Sequence, residues 1–368
     1  MVQIFLRRRA GVRKCSRMSA AWLLAASLTS IATCADPKDK TPTVVTVPEL
    51  RLEGGRRLTF ERSVNDERDV LAKKGFWKKF LDVVAGEPGY HRLIRPYGVL
   101  TDSRGRIIVS DPGAKGIHIF DFERHQYKFL TRAEKKEALL SPQCIAVDKQ
   151  DNIYATDSET GKVFVFRADG KYERVIGSLK GGEGYFKRPT GIAVDSDSQR
   201  IYVTDTLRNQ IFVLDMQGSV LQRIGKSGNG DGEFNFPTEI RLQGDTLLVV
   251  DAMNFRVQAF HRDGTFRYAI GEQGDTTGRF FRPKGAGLDS EGHVYVVDAY
   301  NAVVQVFDVQ GNLLYYFGKK GSGFGDFQLP AGLFVDVHDN VFVADMYNRR
   351  IQEFHYYALP KQENGTRP

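Results

Sequence analysis

The segment FRPKGAGLDSEGHVYVVDAYNAVVQVFD, residues 281–308, contains three short predicted β-strands separated by turns. Apolar and polar residues alternate along GHVYVVD and again along VVQVFD, as in strands that bury one face. The second strand ends in Asp298, and Asn301 follows three residues later. A catalytic acid or a residue that stabilises a loop could occupy such a position. The choice depends on whether Asp298 is unique in the chain.

The segment is one of six similar units, whose strands we name a to d in chain order. The aspartate that ends strand b recurs at intervals of 46 to 48 residues, as Asp111, Asp157, Asp205, Asp251, Asp298 and Asp345. A proline precedes strand a of every unit, as Pro96, Pro142, Pro189, Pro237, Pro283 and Pro330. Repeats of 40–50 residues with several strands each indicate propeller blades. The sequence therefore predicts an all-β, six-bladed β-propeller of four-stranded blades.

The sixth unit ends without a strand d, which would leave an open sheet edge. We expect PELRLEGG (48–55) to supply the missing strand, with KKFLDVVAG (78–86) as an alternative. The apolar residues of the second segment share one helical face, so we predict a helix near 63–85 instead. The predicted organisation is a closing strand and helix over 48–92, the propeller over 93–357 and a disordered tail over 358–368.

The units resemble those of the NHL repeat family of six-bladed β-propellers. RPTGIAVDSDSQRIYVTDTLRNQIFVLDMQG (188–218) and LPAGLFVDVHDNVFVADMYNRRIQEF (329–354) show the resemblance best, and it extends over about residues 94–357. The Asn-His pair that gives this family its name is absent. The resemblance implies the fold and says little about function. Related propellers include a zinc-dependent lyase and calcium-dependent lactonases and esterases.

An aspartate present in all six units cannot be a single active site, because catalysis needs a few groups that converge on one place. A buried carboxylate must be hydrogen-bonded or paired with a cation. We therefore expect Asp298 and its counterparts to accept hydrogen bonds from backbone N–H groups of the b–c loop. Asn301 is expected to cap the same loop through its side-chain amide.

Residues 1–33 have the features of an export signal. Six basic residues precede the apolar run MSAAWLLAASLTSIA, which is short for a membrane span. Ile31-Ala32-Thr33-Cys34 resembles the bacterial lipoprotein box, and this resemblance implies lipidation of Cys34. Residues 34–47 would then be a polar tether to a membrane of the cell envelope. Cleavage near Ala35 without a lipid, which gives a periplasmic protein, is the alternative.

The charge of the chain resides largely in this predicted signal. The chain has 52 basic and 45 acidic residues, and residues 1–33 contain six basic residues and no acid. The remainder is therefore nearly neutral, and we do not expect nucleic-acid binding. Of the three cysteines, Cys15 leaves with the signal, Cys34 lies at the cleavage site and Cys144 is alone, so no intrachain disulfide is expected.

Candidate ligand-binding residues fall into two groups. The d–a and b–c loops share one face of a propeller, and there we expect Arg208, Arg256, Asn301, Arg349 and Arg350 to bind a carboxylate, a phosphate or an acidic protein surface. Arg256 and Arg350 could instead pair with the strand-b aspartate. The second group lies at the central channel: Glu239, which replaces a glycine of the repeat, with Lys284 and Tyr97.

Two functions remain open from the sequence. The first is a non-enzymatic, exported propeller that binds a protein or an anionic ligand on its loop face, with no catalytic residue and no cofactor. The second is a divalent-metal hydrolase or lyase with a site in the channel, where Glu239 could help to hold calcium. The seven histidines do not converge on the predicted channel positions, so no zinc site is expected.

Overall fold

The computed structural model describes residues 48–71, 90–133, 137–181 and 184–358. The predicted signal, Cys34 and the tether lie outside these residues, as do KKFLDVVAG and residues 359–368 of the predicted tail. No helix among the described residues is long and apolar enough to cross a membrane.

The described chain forms six antiparallel blade sheets and a separate two-stranded hairpin, and the predicted propeller fold is confirmed. Two strands precede the blades, β1 (Glu49–Arg51) and β2 (Arg57–Val64). The strands of blade 1 are β3 (Val99–Thr101), β4 (Ile107–Asp111), β5 (Gly116–Asp121) and β6 (Gln126–Leu130). A small hairpin follows, made of β7 (Arg132–Ala133) and β8 (Glu137–Ala138). Blade 2 contains β9 (Pro142–Val147), β10 (Ile153–Asp157), β11 (Lys162–Phe166) and β12 (Tyr172–Ile176).

The next three blades repeat this pattern. The strands of blade 3 are β13 (Pro189–Asp195), β14 (Arg200–Asp205), β15 (Gln210–Asp215) and β16 (Val220–Ile224). Blade 4 contains β17 (Pro237–Gln243), β18 (Thr246–Asp251), β19 (Arg256–His261) and β20 (Phe266–Ile270). Blade 5 contains β21 (Pro283–Leu288), β22 (Val294–Asp298), β23 (Val303–Phe307) and β24 (Leu313–Phe317). Blade 6 begins with β25 (Leu333–Val335), β26 (Asn340–Asp345) and β27 (Arg350–Tyr357).

The inner strands of the six blades form a closed ring, in which each strand a contacts the strand a of the next blade and β25 contacts β3. Apolar side chains fill the space between neighbouring blades. Between blades 5 and 6, for example, Tyr295 and Val304 pack in one cluster with Leu333, Val343 and Phe354. Because each blade buries its apolar side chains against its neighbours, the ring is stable only when all six blades are present.

The N-terminal segment completes blade 6, but with a different strand from the one predicted. β2 pairs antiparallel with β27, with Val64 opposite Ile351 and Arg57 opposite Tyr357. Residues 49–51 of PELRLEGG form β1, which pairs with β2 and adds a fifth, outer strand. The reason is burial: β2 places Leu58, Phe60 and Val64 in the core, whereas β1 has two exposed residues and one half-buried residue. Both N- and C-terminal segments therefore share one sheet.

The predicted helix near 63–85 is not supported where the chain is described. Residues 63 and 64 belong to β2, and Glu67–Asp69 form a single 3₁₀ turn. This turn is capped by Asp66, which accepts from the Arg68 N–H at 2.9 Å. Residues 72–85 lie outside the described part of the chain. A further pair of 3₁₀ turns occurs at Glu53–Gly55 and Ala252–Asn254.

Truncation separates the contributions of β1 and β2 to ring closure. Relative to residues 36–368, a chain of residues 57–368 loses β1 and should lose about 1 kcal/mol of unfolding free energy, since β1 buries little apolar surface. A chain of residues 65–368 also loses β2 and its three buried apolar side chains, and should lose roughly 5 kcal/mol or more. Chemical denaturation measures both. Equal stability of the two truncated chains would contradict closure by β2.

Candidate functional site

The strand-b aspartate connects two loops of its own blade. The Asp298 carboxylate accepts from the N–H groups of Phe281 at 2.9 Å and Arg282 at 3.1 Å, which lie just before strand a. It also accepts from the Tyr300 N–H and the Asn301 amide in the b–c loop, at 3.1 and 3.0 Å. The sequence predicted the b–c loop donors. The donors before strand a are a finding of the structure.

The same arrangement occurs in all six blades. Each carboxylate is fully buried and accepts at least one backbone N–H from the loop before strand a: Ile94 and Arg95 for Asp111, Leu140 and Ser141 for Asp157, Lys187 and Arg188 for Asp205, Asn235 for Asp251, Phe281 and Arg282 for Asp298, and Gln328 for Asp345. These six carboxylates are distributed around the ring and do not converge. Their role is to fix loops.

Three of the arginines predicted to bind a ligand pair with these aspartates instead. Arg208 lies 2.9 Å from Asp205, Arg256 2.9 Å from Asp251 and Arg350 2.8 Å from Asp345. Arg256 and Arg350 also donate to carbonyl groups of the preceding d–a loop, so their guanidinium groups are committed to loop structure. Arg349 is exposed on the b–c loop of blade 6, and neither it nor Asn301 lines the cavity described next.

A funnel with a volume of about 910 Å³ surrounds the propeller axis on the loop face. Every blade contributes the residues just before or within the start of strand a, and most contribute residues that follow the strand-b aspartate. The aspartate contacts described above hold both of these loops. The scaffold therefore determines the shape of the funnel wall.

The large apolar side chains of the funnel wall come mainly from blades 4 to 6, which also contribute Thr238, Gln273, Arg282 and Lys284, whereas blades 2 and 3 contribute mainly polar groups. Blades 2 and 3 present small polar groups: Ser141, Gln143, Ser158, Thr190 and Thr206. Blades 4 to 6 present large apolar groups: Phe236, Met253, Phe255, Phe281, Met346 and Tyr347. The rings of Phe281 and Tyr300 lie 4.3 Å apart between their centroids, which extends this apolar region outwards. Such a wall suits a ligand with one polar and one apolar side.

The charge of the funnel is strongly positive. Five cations line it, Arg95, Lys115, Arg188, Arg282 and Lys284, against one acid, Glu159. None of the five forms an ion pair with an acid of the described residues. Burial and, to a smaller extent, the charges of Arg282 and Arg188 together lower the pKa of Lys284 to about 8. The ammonium nitrogen of Lys284 lies 5.9 Å from the centroid of the Tyr97 ring. The structure thus brings two of the predicted channel residues, Lys284 and Tyr97, together in the wall.

An ion pair closes the channel below the funnel. Glu239 and Arg241 lie on β17, and the Arg241 Nε donates to Glu239 at 2.7 Å. Arg241 also donates to the Ile145 and Val99 carbonyls of blades 2 and 1, at 3.3 and 3.2 Å, so its guanidinium spans the axis. Burial raises the pKa of Glu239 to about 7, although the positive charges of Arg241 and Lys284 oppose the shift.

In four of the six blades, the residue at the repeat position of Glu239 is a glycine, and the packing of the inner strands explains why. An added Cβ at Gly191 would lie 2.6 Å from the Ile240 nitrogen, and one at Gly98 would lie 2.9 Å from the Gln143 carbonyl oxygen. Inner strands approach too closely there for a side chain. Glu239 and Cys144 occupy the two positions where side chains fit. The break in the glycine pattern of the sequence therefore coincides with a position where a buried side chain fits between the inner strands.

Sequence reasoning missed Arg241 and the threonines of the inner ring. Arg241 follows Glu239 by two residues on one strand, so the period-2 rule would have placed both on the same face. The hydroxyl groups of Thr156 and Thr204 each bond to strand a of the next blade, at 2.5 Å to the Thr190 carbonyl and 3.3 Å to the Thr238 carbonyl. In the sequence, these threonines are recognisable because each directly precedes a strand-b aspartate, Asp157 or Asp205.

The described residues contain no group of three or more His, Cys, Asp or Glu side chains placed to hold a metal ion. Glu239, the predicted calcium ligand, is held by Arg241 and lies within electrostatic reach of Lys284. A cation bound there would be repelled by both positive charges. The geometry of the channel therefore suits an anion better than a metal.

The comparisons with known proteins agree with the fold. A sequence profile described as "6-bladed beta-propeller" matches residues 128–201 and 196–246. No curated protein matches the sequence. Among solved structures, virginiamycin B lyase from Staphylococcus aureus is 14% identical, with 71% of this chain and 95% of that chain covered and a TM-score of 0.51.

Two further similar structures come from Bacteroides thetaiotaomicron. A protein of unknown function is 15% identical, with 84% of each chain covered and a TM-score of 0.57. An auxiliary nutrient binding protein is 14% identical, with 72% of this chain and 70% of that chain covered and a TM-score of 0.56. At these identities the similarity shows the fold alone. The protein is a six-bladed β-propeller.

The raised pKa of Glu239 predicts a pH-dependent stability. Between about pH 4.5, where the carboxyl ionises in the unfolded chain, and pH 7, the folded protein keeps a proton that the unfolded chain releases. The contribution of this group to stability therefore falls as the pH rises through that window. Relative to wild type, Glu239→Gln should gain about 3 kcal/mol between pH 4.5 and pH 7.5.

Urea unfolding at several pH values measures this difference. The exposed Glu272→Gln variant is the control and should follow the wild-type profile, because Glu272 lies in a solvated loop. Parallel pH profiles for wild type and Glu239→Gln would show that Glu239 ionises normally in the folded protein.

Proposed function

We propose that this propeller is a non-enzymatic binding protein that takes a small organic anion into its axial funnel. The observation that carries the proposal is the set of five funnel cations that have no acidic partner among the described residues. Structural arginines of this protein, such as Arg256 and Arg350, are paired with acids. The funnel cations have no such acidic partner, and a bound anion would supply the missing negative charge.

The size and lining of the funnel favour a small molecule over a protein surface. A volume of about 910 Å³ is in the range of sites for small ligands. Phe281, Tyr347 and their neighbours form an apolar wall against which a ring or a hydrocarbon segment can pack. The anionic group would then lie near Arg188, Arg282 and Lys284. A protein that inserts an acidic side chain into the funnel is the alternative occupant.

Lys284 is the residue that should respond most to the ligand. Burial and the charges of two neighbouring arginines destabilise its ammonium group, and both effects lower its pKa. A bound anion offsets both effects, because it places negative charge beside all three cations. This arrangement favours the bound state without any covalent step.

The remaining parts of the proposal concern the chain outside the described residues. We propose that residues 1–33 direct export, that Cys34 carries a lipid and that residues 34–47 tether the propeller to a membrane of the cell envelope.

The repeats are proposed to be of the NHL type. A binding role is compatible with the auxiliary nutrient binding protein that has the same fold, at an identity that supports the fold only.

Calorimetric titration with four anions tests the funnel. The probes are cyclohexanecarboxylate, cyclohexyl phosphate, glucuronate and glucose 6-phosphate, which vary the charged group and the ring. At least one should bind, with an affinity that falls as salt increases, and Arg188→Gln/Arg282→Gln should weaken that binding at least tenfold.

The matched control is Lys171→Gln/Arg267→Gln, which removes the same charge from exposed positions elsewhere. It should bind like wild type. Absence of binding by all four probes, or equal binding by the two double variants, would refute an anion site in the funnel.

A further inference from the structure

Six positions of the funnel wall are equivalent in the repeat. The residue directly before the strand-a proline lines the funnel in every blade, as Arg95, Ser141, Arg188, Phe236, Arg282 and Leu329. An arginine occupies this position in blades 1, 3 and 5, and an uncharged residue occupies it in the blades between them. Because six blades divide the circle around the axis, the three arginines lie roughly 120° apart.

The backbone of these arginines is held by the strand-b aspartates. The N–H groups of Arg95, Arg188 and Arg282 donate to the aspartate of their own blade at 2.9, 3.0 and 3.1 Å. The carbonyl groups of Arg188 and Arg282 also accept from the residue after that aspartate, in both cases at 3.0 Å. Each side chain therefore starts from a fixed point of the funnel wall.

The side chains of the three arginines are accessible from the funnel. All three residues are exposed and line the cavity. Within the described part of the chain, none of their guanidinium groups forms a hydrogen bond or an ion pair. By contrast, Arg104 and Arg262 elsewhere on the surface pair with Asp151 and Asp195, each at 3.1 Å. The funnel arginines are therefore free to contact a molecule that enters.

The two lysines of the funnel follow the same distribution. Lys115 belongs to blade 1 and Lys284 to blade 5, so all five cations lie in the blades that carry the arginines. Among the described residues of the funnel, blades 2, 4 and 6 contribute no cation, and blade 2 contributes the acid Glu159. Burial and, to a smaller extent, the charges of Arg282 and Arg188 lower the pKa of Lys284, so arginines of two blades act on one point of the wall.

A ligand with one negative charge satisfies this arrangement poorly. It can pair closely with the cations of one blade, while its attraction to the others falls with distance and those cations continue to repel one another. Three acidic groups around a ring or a branched carbon can pair with all three blades at once. Carboxylate and phosphate groups are suited to this, because the guanidinium fork binds either of them with two hydrogen bonds.

We propose that the funnel binds an anion with three spaced acidic groups, one facing each of Arg95, Arg188 and Arg282. This inference rests on the proposed function and specifies its ligand as a tricarboxylate or a molecule with several phosphate groups. Phe236 and Leu329, which occupy the same repeat position in blades 4 and 6, would pack against the carbon skeleton. Carboxylate and phosphate share this chemistry, and the experiment below distinguishes them.

Calorimetric titration with benzoate, benzene-1,3-dicarboxylate and benzene-1,3,5-tricarboxylate tests the number of acidic groups. Each added carboxylate should tighten binding about fivefold or more, because it reaches a further arginine. Benzene-1,2,4-tricarboxylate has the same ring and charge but a different spacing, and it should bind about threefold or more weakly than the 1,3,5 isomer. Inositol 1,3,5-trisphosphate and inositol 1,2,3-trisphosphate make the same comparison for phosphate. The series that binds more tightly identifies the acidic group.

Arg95→Gln separates this inference from the proposed function, which assigns the anionic group to Arg188, Arg282 and Lys284. It should weaken the preferred 1,3,5 probe about tenfold and benzoate less than about threefold, because only a ligand with three acidic groups reaches blade 1 as well. Arg95→Lys retains the charge and should restore most of the affinity. Arg267→Gln removes an exposed arginine outside the funnel and should bind like wild type.

Arg282→Gln is the second variant if Arg95→Gln fails to fold. It should weaken the preferred 1,3,5 probe by a similar factor, because the three arginines occupy equivalent positions of the repeat. The affinity of that probe for wild type should also fall more steeply with salt than the affinity of benzoate, since more charges are paired in the complex.

Equal binding of benzoate and the tricarboxylates, with loss of both in Arg188→Gln/Arg282→Gln, would overturn the inference and leave the anion site intact. Equal binding of the isomers in both series would show that the spacing of the acidic groups is not recognised, and would overturn it as well. An unchanged affinity of the 1,3,5 probe in Arg95→Gln would remove blade 1 from the site. Failure of every probe to bind would overturn both the proposed function and the inference.

Discussion

The hydrogen bonds from loop N–H groups to the strand-b carboxylate are the interaction on which the rest of this structure depends. Each blade has one such carboxylate, buried at the end of strand b, and it holds the loop before strand a to its own sheet. A buried carboxylate is stable there because several donors converge on it. Without these bonds the loops of the upper face would have no fixed conformation, and the funnel would have no fixed wall.

This constraint separates structural residues from functional ones. Features that occur in all six blades, such as the aspartate and the backbone N–H groups that donate to it, hold the loops. Features that break the repeat are concentrated at the axis, where Glu239, Cys144 and Lys284 replace smaller or neutral residues. The ring geometry brings these exceptions from different blades to one place. A propeller can therefore alter its binding chemistry at the axis without changing the interactions that keep it folded.

Much of the fold could be predicted from the sequence, because the repeat of Pro, Asp and the apolar strand positions is regular. The strand that closes the ring was assigned to residues 48–55, whereas β2 at Arg57–Val64 performs that role. Both segments have strand-like patterns, but β2 places three apolar side chains in the core and β1 places none there. The broken glycine pattern singles out Glu239, and Lys284 and Tyr97 are predicted beside it, whereas the bonds of Arg241 to carbonyl groups of distant blades could not be predicted. Such contacts across the axis leave no local signature in the sequence.

Hydrogen–deuterium exchange of the loop amides tests the central claim most directly. Those that donate to the strand-b carboxylates, among them Leu140, Ser141, Lys187 and Arg188, should exchange about as slowly as amides within strand a, because each is hydrogen-bonded to a buried carboxylate. Other amides of the same loops, which face solvent, should exchange much faster. Uniformly fast exchange along these loops would contradict the account, since the carboxylates would then not fix the wall of the funnel.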